Sequence, residues 1–380
     1  MGFNKDQLSA FLLKCSAEKV ADITIQSGDF IWGRHNRTYV RLSDRQLQGV
    51  ELDQIVTWLY SNIASAELLS GKPLDFRAQA NESRDLVKFF RANAVKARIG
   101  TIDGGVQLTL RTIPEHPPTL DALGIEQDIV DNLFPRYGLV LIVGTTGSGK
   151  STLLAAGNRW RLERRRDDPV KIITFEDPIE YTYAGLAEGH MPEPAQTEIG
   201  RGHHLSDFAL AGPNAMRRAS DVIIMGEMRD AESVGSGLEM AGTGHATYST
   251  LHVDTPAEAI DRIISFYPFT AQAATANKLL SSLRLVVAQK LARRKDGGVI
   301  AFRSWKVFDQ ETRRRLSALP YSQIAAEVRS DCARAGTDFE AQVLKAYKAD
   351  LITFDTAREV AGLTVGEAQD LLGLKESVDA

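Results

Sequence analysis

Cysteine, long apolar runs and an excess of charge of one sign are all scarce in this sequence, and each shortage narrows what the chain can be. Its 380 residues hold only two cysteines, Cys15 and Cys332. They are far apart and fit no metal-ligand spacing, so they read as free thiols in a reducing compartment. The start, Met1 to Asp6, carries an acid early and no apolar segment follows it, so no signal peptide is visible. No apolar run is long enough to span a bilayer. The expectation is a cytoplasmic protein that meets any membrane through partners. With 45 basic and 49 acidic residues the net charge is -4 and the pI is near 6.0, so no global basic field draws the chain onto nucleic acid. A local basic groove stays open. Four tryptophans and nine tyrosines are scattered, and no aromatic track of the kind a single-strand motor needs is evident. Long repeats and low-complexity tracts are missing too. At 43% hydrophobic and 25% charged residues the composition is that of an ordinary globular protein, long enough for two or three domains.

One stretch organises the rest. Gly144-Thr145-Thr146-Gly147-Ser148-Gly149-Lys150-Ser151 fits the phosphate-loop pattern G-x-x-x-x-G-K-[ST]. The apolar run Leu139 to Val143 leads into it as a buried strand, and a helix-compatible run from Thr152 leads out. Glycines let the backbone turn tightly, so that successive N–H groups face phosphate oxygens at a helix start. Gly144 through Thr152 are therefore the nucleotide-binding candidates. Lys150 reaches the β- and γ-phosphates of ATP, and the Ser151 hydroxyl holds Mg²⁺.

Before this loop the chain reads as an α+β unit. A helix is expected over Gln7–Val20, a strand over Asp22–Gln26, a small sheet from Phe30–Arg34 and Thr38–Leu42, and a second helix over Asp53–Leu69. Three prolines in Ile113–Pro118 stiffen the chain and suggest a linker. The expected domains are 1–113, a linker at 114–118, an α/β domain over 119–310 and a helical region over 311–380. In the α/β domain, Val170–Phe175, Asp221–Met225 and Ala246–Leu251 alternate with helices, which implies a mostly parallel sheet. Ligands in such sheets sit outside the carboxyl ends of the strands. In the helical region Ile324, Val328, Phe339 and Val343 are expected in the core.

Phosphoryl transfer needs charge neutralisation and an oriented water. Glu176 and Asp177 end one strand. Glu227 ends another and is the candidate general base or water-orienting residue. Glu176 and Glu227 are also candidate metal ligands beside Ser151. Each has an inert alternative: Glu227 as the cap of a helix starting near Asp230, Glu176-Asp177-Pro178 as a turn. His245 and His252 bracket a strand and could bond a phosphate or serve as plain core or surface groups. Arg91 and Arg111 suit a γ-phosphate by their forked guanidinium, or are surface arginines on strands. His203-His204 has no partner at metal-ligand spacing.

These motifs in this order resemble the ATPase superfamily of type II and type IV secretion systems. The phosphate loop, Glu176–Tyr181, Gly226–Asp230 and Gly242–His252 correspond to its Walker A, Asp box, Walker B and His box. Phe90–Asn93 and Arg111–Pro114 resemble the first domain of the PilT-like pilus-retraction members. The resemblance implies a PAS-like α+β first domain, a RecA-like second domain with a helical extension, and a homohexameric ring that acts on inner-membrane platform components. It makes Arg91, Arg111 and His252 candidate catalytic residues and adds His245 to the nucleotide ligands. Met216–Asp221 and the insert Gln196–His204 depart from the PilT-like pattern and look closer to DotB and TraJ, of type IVB secretion and conjugation. Pilus retraction is the near alternative. A nucleic-acid motor and a non-catalytic assembly subunit are the distant ones.

Overall fold

The computed structural model describes residues 3–35, 38–81, 87–200 and 204–374, so that His203 and the last six residues lie outside the described residues. Two compact units emerge, Met1–His116 with Pro178–Thr182, and Pro117–Asp177 with Tyr183–Ala380.

The first unit is α+β. Its helices are α1 (Lys5–Ala17), α2 (Gly49–Leu59) and α3 (Ala64–Leu69), and its strands β1 (Asp22–Gln26), β2 (Trp32–His35), β3 (Thr38–Arg41), β4 (Leu74–Asn81), β5 (Val87–Ile99) and β6 (Ile102–Thr112). The strands form an antiparallel sheet in the order β3-β2-β1-β6-β5-β4. Strict alternation in β4 turns Leu74, Phe76, Ala78 and Ala80 inward, onto a core shared with Leu8, Leu12 and Cys15 of α1 and Leu52, Ile55 and Val56 of α2. The single helix expected over Asp53–Leu69 is two helices. α2 stops at Leu59, and Ser61 and Asn62 divide it from α3, because short polar side chains compete with helix for the backbone. Ile63 is 56% exposed in the break.

The second unit carries α4 (Gln127–Asn132), β7 (Gly138–Val143), α5 (Lys150–Arg164), β8 (Ile172–Glu176), β9 (Ala195–Glu198), α6 (Ala211–Ala215), β10 (Val222–Met225), α7 (Ala231–Gly242), β11 (Ala246–Leu251), α8 (Pro256–Ser265), α9 (Phe269–Ser282), β12 (Leu283–Arg293) and β13 (Val299–Val307). The sheet order is β13-β12-β7-β11-β10-β8-β9, parallel throughout except for β13. β7, β10 and β11 are buried along their whole length, which is why β7 and β10 read as unbroken apolar runs rather than alternating ones, while β11 buries Thr247, Ser249 and Thr250 as well. Five helices follow: α10 (Gln310–Ser317), α11 (Tyr321–Ala335), α12 (Phe339–Lys348), α13 (Phe354–Ala361) and α14 (Val365–Leu372). Ile324, Val328, Phe339 and Val343 are buried as expected, in the same core as the sheet.

Candidate functional site

β7 delivers the phosphate loop to the carboxyl edge of the sheet. Gly144, Gly147 and Gly149 take φ of 150°, 79° and 85°, a region that side chains disfavour. A Cβ on Gly144 would stand 2.4 Å from the Gln289 carbonyl oxygen, and one on Gly149 would stand 2.7 Å from Gln289 Nε2, so no larger residue fits at either position. Gly149 caps α5, whose first turn presents Lys150, Ser151 and Thr152. The buried Lys150 ammonium donates to the carbonyls of Gly144 at 2.7 Å and Thr145 at 2.9 Å. The Ser148 hydroxyl is buried and has no hydrogen-bond partner among the described residues. Backbone donors at a helix start, a lysine and an orphaned hydroxyl are what an anion asks for.

Beside the loop, strand register builds a row. Val143 of β7 pairs with Leu251 of β11, Ser249 with Met225 of β10, and Met225 with Phe175 of β8. The residues that leave these strands therefore emerge side by side, at the ~4.8 Å spacing of neighbouring strands. His252 follows β11 and Glu227 follows β10, with His252 Nε2 at 3.6 Å from Glu227 Oε1. The turn that carries Glu227 is pinned: Gly226 N–H donates to Phe175 O, Thr250 Oγ1 donates to Gly226 O at 2.7 Å, and Met228 N–H donates to Thr250 O. Glu176 ends β8, three strands from β7, and its Oε1 accepts from Thr174 Oγ1 at 2.6 Å and Gln196 Nε2 at 3.1 Å. The cap that might have occupied Glu227 belongs to Asp230, which accepts from Ser233 N–H at 2.8 Å. That backbone bond, with the Ser233 hydroxyl, holds the Asp230 carboxyl below its ordinary value. Asp177 pairs with Arg229 at 3.2 Å, both nearly half exposed.

His245 is the correction. It precedes β11 whereas the phosphate loop follows β7, and those strands run parallel with Gly138 opposite Ala246. His245 thus lies at the amino edge of the sheet, roughly 20 Å from His252 at the rise of a strand. There its Nδ1 meets Met240 O and Thr243 Oγ1, each at 3.2 Å, and it does not reach the loop of its own chain.

Within the first unit, register aligns Arg77 of β4, Arg91 of β5 and Arg111 of β6 directly opposite one another. Asp22 of β1 closes the row, accepting from Arg111 Nε at 2.6 Å, and this bond raises the Arg111 guanidinium above its usual value. Like charges at opposed positions repel. Opposed arginines such as Arg91 and Arg111 can share an anion.

Sequence reasoning missed several neighbours of the loop. A cavity of about 560 Å³ adjoins it, lined by Thr145, Gly147, Asp254, Lys290, Arg293 and Glu359, the last from α13. Gln289, Arg303 and Thr250 support the loop and its row from beneath; the signal for Gln289 was an amide directly after the apolar run Leu285–Ala288. Among the described residues no three His, Cys, Asp or Glu side chains converge as a metal cage. Mg²⁺ at a phosphate loop takes a hydroxyl, with phosphate and water oxygens filling the rest, and the exposed Ser151 hydroxyl fits that donor set. No helix among the described residues is long and apolar enough to cross a membrane.

Comparison with known proteins agrees with this architecture. The profile of the family described as Type II/IV secretion system protein matches residues 81–335. Protein YggR of Escherichia coli (strain K12) is 33% identical over 301 residues, covering 78% of this chain and 84% of its own. The solved structure of the Legionella pneumophila ATPase DotB matches with a TM-score of 0.86 at 31% identity, over 96% of this chain and 98% of that one. The pilus retraction motor PilT with bound ADP matches with a TM-score of 0.79 at 26% identity, over 93% and 96%. The chain belongs to the family of type II/IV secretion system proteins, with ATPases among its named relatives.

Proposed function

We propose that this protein hydrolyses ATP, with Mg²⁺, as a cytoplasmic homohexamer that drives a type IVB secretion or conjugation machine at the inner membrane. The observation that carries the reading is the row of strand ends, in which the phosphate loop, His252, Glu227 and Glu176 emerge in sequence along one edge. In it Gly144–Thr152 cradle the triphosphate. Mg²⁺, held by Ser151, would neutralise charge between the β- and γ-phosphates. Glu227, oriented by His252, draws a proton from a water aligned on the γ-phosphorus; the new P–O bond forms as the bond to ADP breaks, releasing phosphate. Glu176 flanks the same edge as a second carboxylate. Arg91 and Arg111 are γ-phosphate ligands on the strength of the family resemblance. The 5-1-4-3-2 order of β12-β7-β11-β10-β8 supports a RecA-like second unit. The antiparallel sheet with helices supports a PAS-like first unit.

Similarity to DotB over nearly the whole chain favours the secretion reading. Pilus retraction is the second reading, favoured by the match to PilT with ADP. Capture of coupling-complex proteins rather than pilin-platform proteins in a pull-down separates them. The enzymatic claim rests on Glu227→Gln: turnover should fall about 10²–10⁴-fold while ATP binding is retained. Wild-type turnover in that variant removes Glu227 from its role.

A further inference from the structure

We infer that Gln289, Arg303 and Glu126 form a chain, buried at Gln289 and Arg303 and partly exposed at Glu126, that sets the direction of the phosphate loop, with Gln289 as its positioning residue. The inference rests on the reading of that loop as the ATP site and adds a group outside the loop on which its affinity depends. Gln289 on β12 and Arg303 on β13 face each other in the ladder, and both are at least 96% buried. Gln289 Nε2 donates to Ser148 O at 2.7 Å, across 141 residues of sequence. Its Oε1 accepts from Arg303 Nε at 2.8 Å. The other guanidinium nitrogens of Arg303 donate to Gly124 O at 3.2 Å, Leu123 O at 3.0 Å and Glu126 Oε2 at 3.1 Å.

The chain has one sense only. A guanidinium donates and cannot accept, so the amide must offer Arg303 its oxygen. That leaves the NH₂ for Ser148, whose carbonyl can only accept. The direction of the Gln289 amide, ambiguous for a free side chain, is thus dictated from Glu126 onward. Its effect at the loop follows from the planar trans peptide, in which C=O and N–H point opposite ways. Pulling the Ser148 carbonyl inward onto Gln289 turns the Gly149 N–H outward, to the side where phosphate oxygens bind. The same amide nitrogen stands 2.7 Å from where a Cβ on Gly149 would lie. A carboxylate in its place would keep the bond to Arg303 yet set an acceptor against an acceptor at Ser148 and bring negative charge toward the phosphates.

The test is calorimetric titration of the full chain with Mg·ADP, for wild type, Gln289→Glu and Gln289→Met, with thermal melts in the absence of nucleotide and steady-state ATP kinetics. Gln289→Met, which keeps the volume and removes the bond, should weaken ADP about tenfold. Gln289→Glu should weaken it about 30-fold or more. Both should raise KM for ATP with kcat within about threefold, the signature of lost uniform binding, which a purely structural lesion does not give. ADP affinities within twofold of wild type in variants that melt cooperatively overturn the inference while leaving the ATP site standing. A wild type that binds no Mg·ADP overturns the site itself. If Gln289→Glu does not melt cooperatively, Gln289→Met decides alone.

Discussion

Thr250 holds Glu227 from two sides, through its hydroxyl to Gly226 O and its carbonyl to Met228 N–H. The side chain is buried, so nothing replaces the hydroxyl when it is removed. Thr250→Val keeps the branched shape that suits a strand and deletes only the donor. The expected cost is about 1–2 kcal/mol in urea unfolding. Because Glu227 loses its anchor and the phosphate loop does not, kcat should fall while ADP affinity is unchanged. Equal losses in both would show a general disturbance of the edge. The residues of this scale that could be read from sequence are the local ones: the loop, Glu227 and His252 each sit within two residues of the end of a strand. Thr250 and Gln289 escaped because their partners lie 24 and 141 residues away. His245 was misread because seven residues look short in sequence, yet here those residues are a strand and carry it from one edge of the sheet to the other.

Among the elements, the parallel strands β7, β8, β10 and β11 announced themselves by composition while β9 and β12 did not, and the helix over Asp53–Leu69 failed because periodicity continued past a break that only Ser61 and Asn62 mark. The joining of elements by ion pairs was not legible at all. Asp331 of α11, 7% exposed, receives Lys306 of β13 at 2.9 Å, Arg315 of α10 and Arg334 of its own helix. Burial alone would raise the Asp331 carboxyl, but the Lys306 ammonium and the Arg315 guanidinium outweigh it and hold the group below the usual carboxylate range. A depressed folded value means that the contribution to stability is complete above the unfolded value, about 3.9, and is lost as pH falls through the folded one. Asp331→Asn should therefore cost about 2 kcal/mol at pH 7, between the worth of exposed and of fully buried pairs. The gap between wild type and variant should close only below about pH 4. A gap that persists unchanged at pH 2.5, in urea melts, would assign the loss to packing and not to charge.

For the molecule as a whole, two hydrophobic cores that share no residue predict two unfolding transitions in calorimetry. The second unit contains the phosphate loop and the first contains the arginine row, so nucleotides should address them differently. Mg·ADP at a hundredfold excess over its Kd adds about 2.7 kcal/mol to the unit that binds it, a rise of about 5–10 °C for a unit of this size. That rise should fall on the transition of the second unit alone, identified as the one that Asp331→Asn lowers. A non-hydrolysable ATP analogue offers the γ-phosphate as well, and if Arg91 and Arg111 engage it the first transition should climb too. Arg91→Ala with Arg111→Ala should abolish the climb of the first transition and leave that of the second. Should the double variant keep both shifts, Arg91 and Arg111 take no part at the γ-phosphate.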